Sequence, residues 1–288
     1  CGEVIQPATA PAAPSEPKPL TSLLLAAILG AFVGLAGAIL MERLHDPLGN
    51  RRAVEALIGG RHVLAELPRQ RADAEFPAVR TPSSTMTNQL RVLHRTVAAE
   101  RGGKVGVVLI TSPRPGDGKS TVAGNLAAVM ANTGLRVALI DADLHRPRLA
   151  ELFGKAATPG LAEALTRAKP VDFQPVNDHL FLLAAGKATD PTGLLGDAGL
   201  VRLLAALRNE FDAVLIDAPP VQPLADAIVL ASLVDAVLLV ADPAQTTSAG
   251  LRDALDALDR VHAHVAGIVL NGVAGSGGGM VSYGDPAR

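Results

Sequence analysis

Cysteine is almost missing: the 288 residues hold one, Cys1. No internal disulfide and no cysteine-based metal cluster can form. Tryptophan is absent, tyrosine occurs once (Tyr283), and aromatic residues are 2% of the chain. Charge of one sign is lacking too, with 26 Lys and Arg against 28 Asp and Glu, so there is no basic footprint for nucleic acid. No internal repeat is visible. What the chain has in excess is apolar residues, 49% of the total with a mean hydropathy of +0.30, which directs attention to a membrane segment. The length suits one large domain or two small ones.

The stretch Lys104–Gly134 carries the chemistry. Val105–Ile110 reads as a strand buried on both faces. A loop with Gly116 and Gly118 leads to Lys119-Ser120-Thr121, and Val122, Leu126, Val129 and Met130 then recur at helical spacing until Gly134. Strand, glycine loop, Gly-Lys-Ser and helix form the context of a phosphate-binding loop. Glycines let backbone N–H groups close on phosphate oxygens, and the helix N-terminus adds partial positive charge. Gly116, Asp117, Gly118, Lys119, Ser120 and Thr121 are the expected nucleotide contacts. Lys119 is expected to reach the β- and γ-phosphates of ATP, and Ser120 to face Mg²⁺. The strict pattern asks for glycine where Pro113 stands.

Before this stretch, residues 1–19 form a proline-rich spacer. Cys1-Gly2 reads as a cut inside a longer protein, with a lipidated start as the alternative. Residues 20–41 are uncharged and long enough to cross a bilayer, which takes ~20 residues. Gly30, Gly34 and Ala38 form a small-residue face suited to helix association. Arg43, Arg51 and Arg52 follow the span and only Lys18 precedes it, so the positive-inside rule places residues 42 onward in the cytoplasm and the N-terminus outside. Residues 42–83 read as a juxtamembrane segment and linker, with a helix at 53–58 and a strand at 62–67. An amphipathic helix follows at 84–100. Strands at 137–140, 180–183, 214–216, 237–240 and 268–270 alternate with helices at 148–153, 161–166, 200–209, 225–233 and 251–261. The expected fold is α/β, a doubly wound, mainly parallel sheet over 84–271, preceded by one transmembrane helix. Residues 272–288 read as a flexible glycine-rich tail.

Ligands of such sheets lie at the carboxyl ends of the strands. Two apolar strands there end in aspartate: Val137–Asp141, followed by Ala142-Asp143, and Val214–Asp217. Mg²⁺ accepts one or two carboxylates directly or through water. Asp217 is expected as a metal ligand or its orienter. Asp141 and Asp143 are expected to orient Mg²⁺ or to take a proton from an attacking hydroxyl, with Ser120 and Asp141 counted among the metal residues.

These motifs resemble those of the bacterial tyrosine kinases (BY-kinases) of capsule and exopolysaccharide synthesis. In that family a Wzz-type chain-length-determinant region is fused to a MinD/ParA-like ATPase. Ser112–Ser120 resembles the family's Walker A, Asp141–Pro147 its Walker A′, and Val214–Pro220 its Walker B. The chain departs from the family in four places. His145 stands where an Arg is usual. Asn88, Arg91 and His94 stand where the oligomerisation helix has Glu, Arg and Arg. Tyr283 replaces a tyrosine cluster, and Ala241-Asp242-Pro243 lacks a common basic residue. Arg114 occupies the position of the signature lysine of MinD-like proteins.

The resemblance implies an ATP- and Mg²⁺-dependent protein-tyrosine autokinase of the bacterial inner membrane, with Lys119, Asp141 and Asp143 catalytic and Tyr283 the autophosphorylation site. It further implies self-association, a polysaccharide polymerase and export machinery as partners, a cognate tyrosine phosphatase, and Asn271 as an adenine contact. A non-kinase regulator of chain length that binds or hydrolyses ATP is the alternative reading. A MinD/ParA-type positioning ATPase is a third, opposed by the transmembrane anchor.

Overall fold

The computed structural model describes residues 19–44, 48–49, 51–69, 84–100, 105–167, 171–196, 198–223 and 225–273. The chain divides into two units, residues 1–46 and 47–288.

The first unit contains α1, Pro19–Leu44. Leu20–Gly37 has a mean hydropathy of 2.2 and no buried residue, and it is long and apolar enough to cross a membrane. Leu23, Ile28, Leu29, Phe32 and Val33 are all more than 60% exposed. Burying each such side chain is worth about 1.5–3 kcal/mol, so this helix demands an apolar environment. Gly30 and Gly34 have no neighbour within 4 Å of where a Cβ would stand.

The second unit is an eight-stranded sheet between two helical layers. In chain order its elements are α2 (Arg51–Leu57), β1 (Val63–Pro68), α3 (Thr85–Glu100), β2 (Gly106–Thr111), α4 (Lys119–Ala131), β3 (Val137–Asp141), α5 (Leu149–Leu152) and α6 (Leu161–Arg167). Then come β4 (Gln174–Pro175), β5 (Leu180–Leu183), α7 (Pro191–Leu195), α8 (Ala198–Glu210), β6 (Ala213–Asp217), α9 (Asp226–Ala231), β7 (Ala236–Ala241), α10 (Ser248–Arg260) and β8 (Val265–Val273). The strand order is β1-β8-β7-β2-β6-β3-β5-β4. All neighbours pair in parallel except β4 and β5.

Successive strand residues point to opposite faces, and the core follows that rule. Val107 and Leu109 of β2, with Val214 and Ile216 of β6, face the layer built from α2 and α6–α10. Val108, Ile110, Ala213 and Leu215 face α3, α4 and α5. Both faces of the central strands are covered, which is why their sequences are continuous apolar runs.

The sheet begins well before residue 84. β1 lies at its edge and pairs with β8, from Val63 opposite Ile268 to Pro68 opposite Val273. Leu48, Val54 and Ile58 are buried in the core, and the Leu48 N–H donates to the Thr246 carbonyl at 3.1 Å. The helix and strand expected within the juxtamembrane stretch are present, and they supply an edge strand and core side chains to the sheet. β8 runs through Val273, past the expected strand at 268–270 and into the expected tail; residues 274–288 lie outside the described ones. α7 and β4 were not expected. α7 nonetheless has a local signal: the Asp190 carboxylate accepts the Gly193 N–H at 3.2 Å and Pro191 opens the helix.

Candidate nucleotide site at the carboxyl ends of the central strands

β2 ends at Thr111, and residues 112–118 turn back into α4. The loop needs glycine twice: Gly116 has φ 95° and Gly118 φ 86°, where other residues are strained. A Cβ at Gly118 would also collide with the Asn271 amide. Pro113 in place of glycine leaves the turn closed by the Ser112 hydroxyl, which donates to the Arg114 carbonyl at 2.8 Å. Gly118 caps α4 without a side chain, so the first N–H groups of this 13-residue helix are left for an anion.

Asp117 braces the loop from inside. It is buried, and its carboxylate accepts the Thr246 hydroxyl at 2.8 Å, the Arg114 N–H at 3.2 Å and the Asp242 N–H at 3.4 Å. Burial pushes its carboxyl up to about 6, against the pull of these donors. Asn271, expected at the adenine, donates its amide to the Asp117 carbonyl at 3.0 Å and so acts as a strut beneath the loop. Asp242 continues the brace, accepting from Gln245 at 2.8 Å and pairing with Arg69 at 3.2 Å. The Arg114 guanidinium donates to the Gln245 carbonyl at 2.5 Å. Thr121, partly exposed in the first turn of α4, offers its carbonyl to Asn125 at 2.8 Å.

Lys119 stands among three carboxylates. Its Nζ is 2.7 Å from Asp143 Oδ2 and 3.9 Å from Asp217 Oδ1, with the lysine side chain only 12% exposed. Burial lowers its pKa, but Asp217, Asp143 and Asp141 outweigh burial and raise it. The lysine is therefore a fixed cation.

Asp141 and Asp217 are register partners at the ends of β3 and β6. Asp141 is saturated. Its Oδ2 accepts the N–H groups of Arg148 at 3.0 Å and Leu149 at 2.9 Å, and its Oδ1 accepts that of Asp143 at 3.3 Å. Its first expected task, holding a metal, is thus overlaid by a structural one: it ties down the turn that carries Asp143. Asp217 is equally buried, yet neither of its oxygens has a hydrogen-bond partner. A buried carboxylate without hydrogen bonds is costly, and its ion-pair partner Lys119 is 3.9 Å away. Burial raises its pKa, partly offset by Lys119 and the nearby Ser120 hydroxyl. Two orphaned oxygens next to Ser120 fit a hard cation such as Mg²⁺, which takes oxygen ligands. Asp141 is likewise raised, by burial and by Asp217.

Asp143 accepts the Arg146 N–H at 2.9 Å through Oδ1 while Oδ2 holds Lys119. The structure thus gathers Gly116–Thr121, Asp141, Asp143, Asp217 and Asn271 around one loop. Tyr283 lies outside the described residues. Sequence reasoning missed Asp226, whose carboxylate is 2.8 Å from His145 Nε2, and Thr246. An acidic residue entering a short helix was the one available signal for Asp226.

Comparison with known proteins agrees with this geometry. A family model described as ParA, "NUBPL iron-transfer P-loop NTPase", matches residues 104–275. EpsB of Ralstonia solanacearum is 31% identical over 93% of this chain and 38% of its own length. The succinoglycan biosynthesis transport protein ExoP of Rhizobium meliloti is 29% identical over 93% of this chain and 39% of its own. The tyrosine-protein kinase YwqD of Bacillus subtilis is 32% identical over 68% of this chain and 84% of its own. The kinase domain of the Escherichia coli tyrosine kinase ETK superposes with a TM-score of 0.70 at 27% identity, covering 78% of this chain and 96% of that one. The chain spans about two fifths of the length of EpsB and ExoP. By the matched ParA-type region and the likeness to YwqD across most of its length, the chain belongs to the ParA-like P-loop NTPases, in the family of the bacterial tyrosine-protein kinases.

Proposed function

We propose that the chain is the catalytic part of an ATP-dependent protein-tyrosine autokinase that regulates the polymerisation and export of a capsular or exopolysaccharide. The observation that carries this reading is the buried Lys119–Asp143 pair beside Asp217, whose oxygens accept no hydrogen bond, at a phosphate-binding loop. The N–H groups at the start of α4 and the loop glycines cradle the β- and γ-phosphates. Ser120 and Asp217 would hold Mg²⁺, with Asp141 orienting them; bound there, the ion supplies positive charge to the transferring group. Lys119 exchanges Asp143 for the γ-phosphate. The freed Asp143 carboxylate takes the phenolic proton of Tyr283 from a second copy. The tyrosine oxygen bonds to the γ-phosphorus, the bond to the β–γ bridging oxygen breaks, and ADP leaves.

The name of ExoP supports the polysaccharide setting, and α1 supports membrane attachment. Arg43, Arg51 and Arg52 after the apolar stretch support a cytoplasmic kinase domain at the inner membrane, with residues 1–19 outside. A fusion to a Wzz-type region, self-association, a polymerase and export machinery, and a cognate phosphatase complete the reading. The single tyrosine favours a second one, a nucleotide-driven regulator without kinase activity.

Incubating the full chain in detergent with ATP and Mg²⁺ decides between them. Phosphate on Tyr283, located by mass spectrometry and lost in Lys119→Met and Tyr283→Phe, is the expected result. ADP release with unmodified Tyr283 would leave only the regulator.

A further inference from the structure

The turn from Ala142 to Arg148 carries Asp143, and its stretch from His145 to Arg148 is exposed. Asp143 accepts the Arg146 N–H within the turn, and Asp141 at the end of β3 accepts the N–H groups of Asp143, Arg148 and Leu149. These contacts fix the two ends of the turn and leave its exposed tip to be placed by others. At its base the Ala142 N–H donates to the Asp217 carbonyl at 2.8 Å and Asp143 holds Lys119 at 2.7 Å; its tip is held where His145 Nε2 lies 2.8 Å from Asp226 Oδ2.

Asp226 is a firm anchor. It is 1% exposed at the start of α9, and the next residue, Ala227, together with Leu230 is fully buried in the core. The segment leading to it is tied to the phosphate loop, since the Val221 N–H donates to the Ser112 carbonyl at 2.8 Å. Asp226 Oδ1 is buried without a hydrogen-bond partner. One carboxylate oxygen thus grips the imidazole and the other has capacity left.

We propose that His145, held by Asp226, is a positioning residue for phosphoryl transfer. The pair clasps the turn bearing Asp143 to the segment after Asp217, so the two carboxylates keep their places on either side of Lys119. Neither member touches the reacting atoms. A guanidinium at position 145 presents a planar fork that can satisfy both Asp226 oxygens, so arginine is the substitution that preserves the clasp.

The inference rests on the ATP-dependent reading of the site, and its test separates the two. ADP release and Tyr283 phosphorylation are measured on the full chain in detergent, with thermal melting alongside. His145→Ala and Asp226→Ala are each expected to lower turnover at saturating ATP by about 10–100-fold, the scale of a misplaced catalytic group. The KM for ATP should stay within about threefold, because no ground-state contact is removed. The double variant should be no slower than the slower single one. His145→Arg should retain wild-type turnover within about threefold. Variants that melt lower but turn over normally, single effects that multiply in the double variant, or a KM that rises in step with the loss would each overturn the proposal. So would a His145→Arg variant as slow as His145→Ala. A wild-type chain that releases no ADP would remove the ATP-dependent reading, and the proposal with it.

Discussion

β3 and β6 end alike and work differently. Each is a fully buried apolar strand closing on Ile-Asp, and the two aspartates are register partners in adjacent strands. Asp141 spends its oxygens on three backbone N–H groups. Both oxygens of Asp217 are without a hydrogen-bond partner. The difference comes from the residues next in the chain. After β3 the chain folds back and enters α5, delivering donors to the carboxylate. After β6, Ala218-Pro219-Pro220 leads away: the Ala218 N–H serves the Ile110 carbonyl, and proline has no N–H to offer. One acid is a structural clamp. The other accepts no hydrogen bond, at a cost in stability that the proposed cation would offset.

The sharpest way to break this contrast is to neutralise each acid. Asp217→Asn is expected to lower Mg²⁺-dependent ATP turnover by about 100-fold or more while the ligand-free protein loses little stability, since Asp217 accepts no hydrogen bond and its ion-pair partner Lys119 keeps Asp143. Unchanged turnover would take Asp217 out of the site. Asp141→Ala should do the opposite in stability. Three N–H groups, two of them buried, lose their acceptor, and chemical denaturation should show a loss of about 2–4 kcal/mol. A variant as stable as wild type would mean that the clamp is dispensable.

pH gives a smaller, graded test. Asp117, Asp141 and Asp217 all have raised pKa values in the folded chain, first of all through burial, with Asp117 near 6. Between the ordinary carboxylate range and these raised values the folded state binds more protons than the unfolded one. The stability of the ligand-free protein should therefore fall as pH rises from about 4 toward 7, the reverse of the usual salt-bridged aspartate. Denaturation midpoints measured across that range check the sign. Asp217→Asn should flatten the fall. A ligand-free stability that rises over the same interval would show that these carboxylates are better paired than their contacts indicate.

Much of the site was legible because its signals are local. A Val/Ile/Leu run before a glycine loop, and two more before aspartate, mark strands, and Lys119 follows the loop by chain geometry alone. α1 was legible for the same reason: an uncharged apolar stretch needs no partner to be recognised. Less legible was anything that depends on distant residues. β1 joins β8 across some 200 positions, so the strand expected at 62–67 gave no local sign of which strand it would pair with. Asn271, expected at the adenine, also holds the phosphate loop through its amide, from a strand 154 residues away. Thr246 carries no pattern of its own, Asp226 only that of an acid entering a short helix, and both matter through what they face.

By itself the sequence determined the phosphate loop, the alternating α/β order, the membrane-length helix and which three aspartates stand near the lysine. Periodicity, turn residues and uncharged length are properties of neighbours along the chain. The tertiary structure decided the order of the strands, the edge position of β1, and which aspartate is clamped and which left open. Those outcomes depend on which donors the fold brings within hydrogen-bonding reach of a buried oxygen, and residues far apart in sequence supply or withhold them.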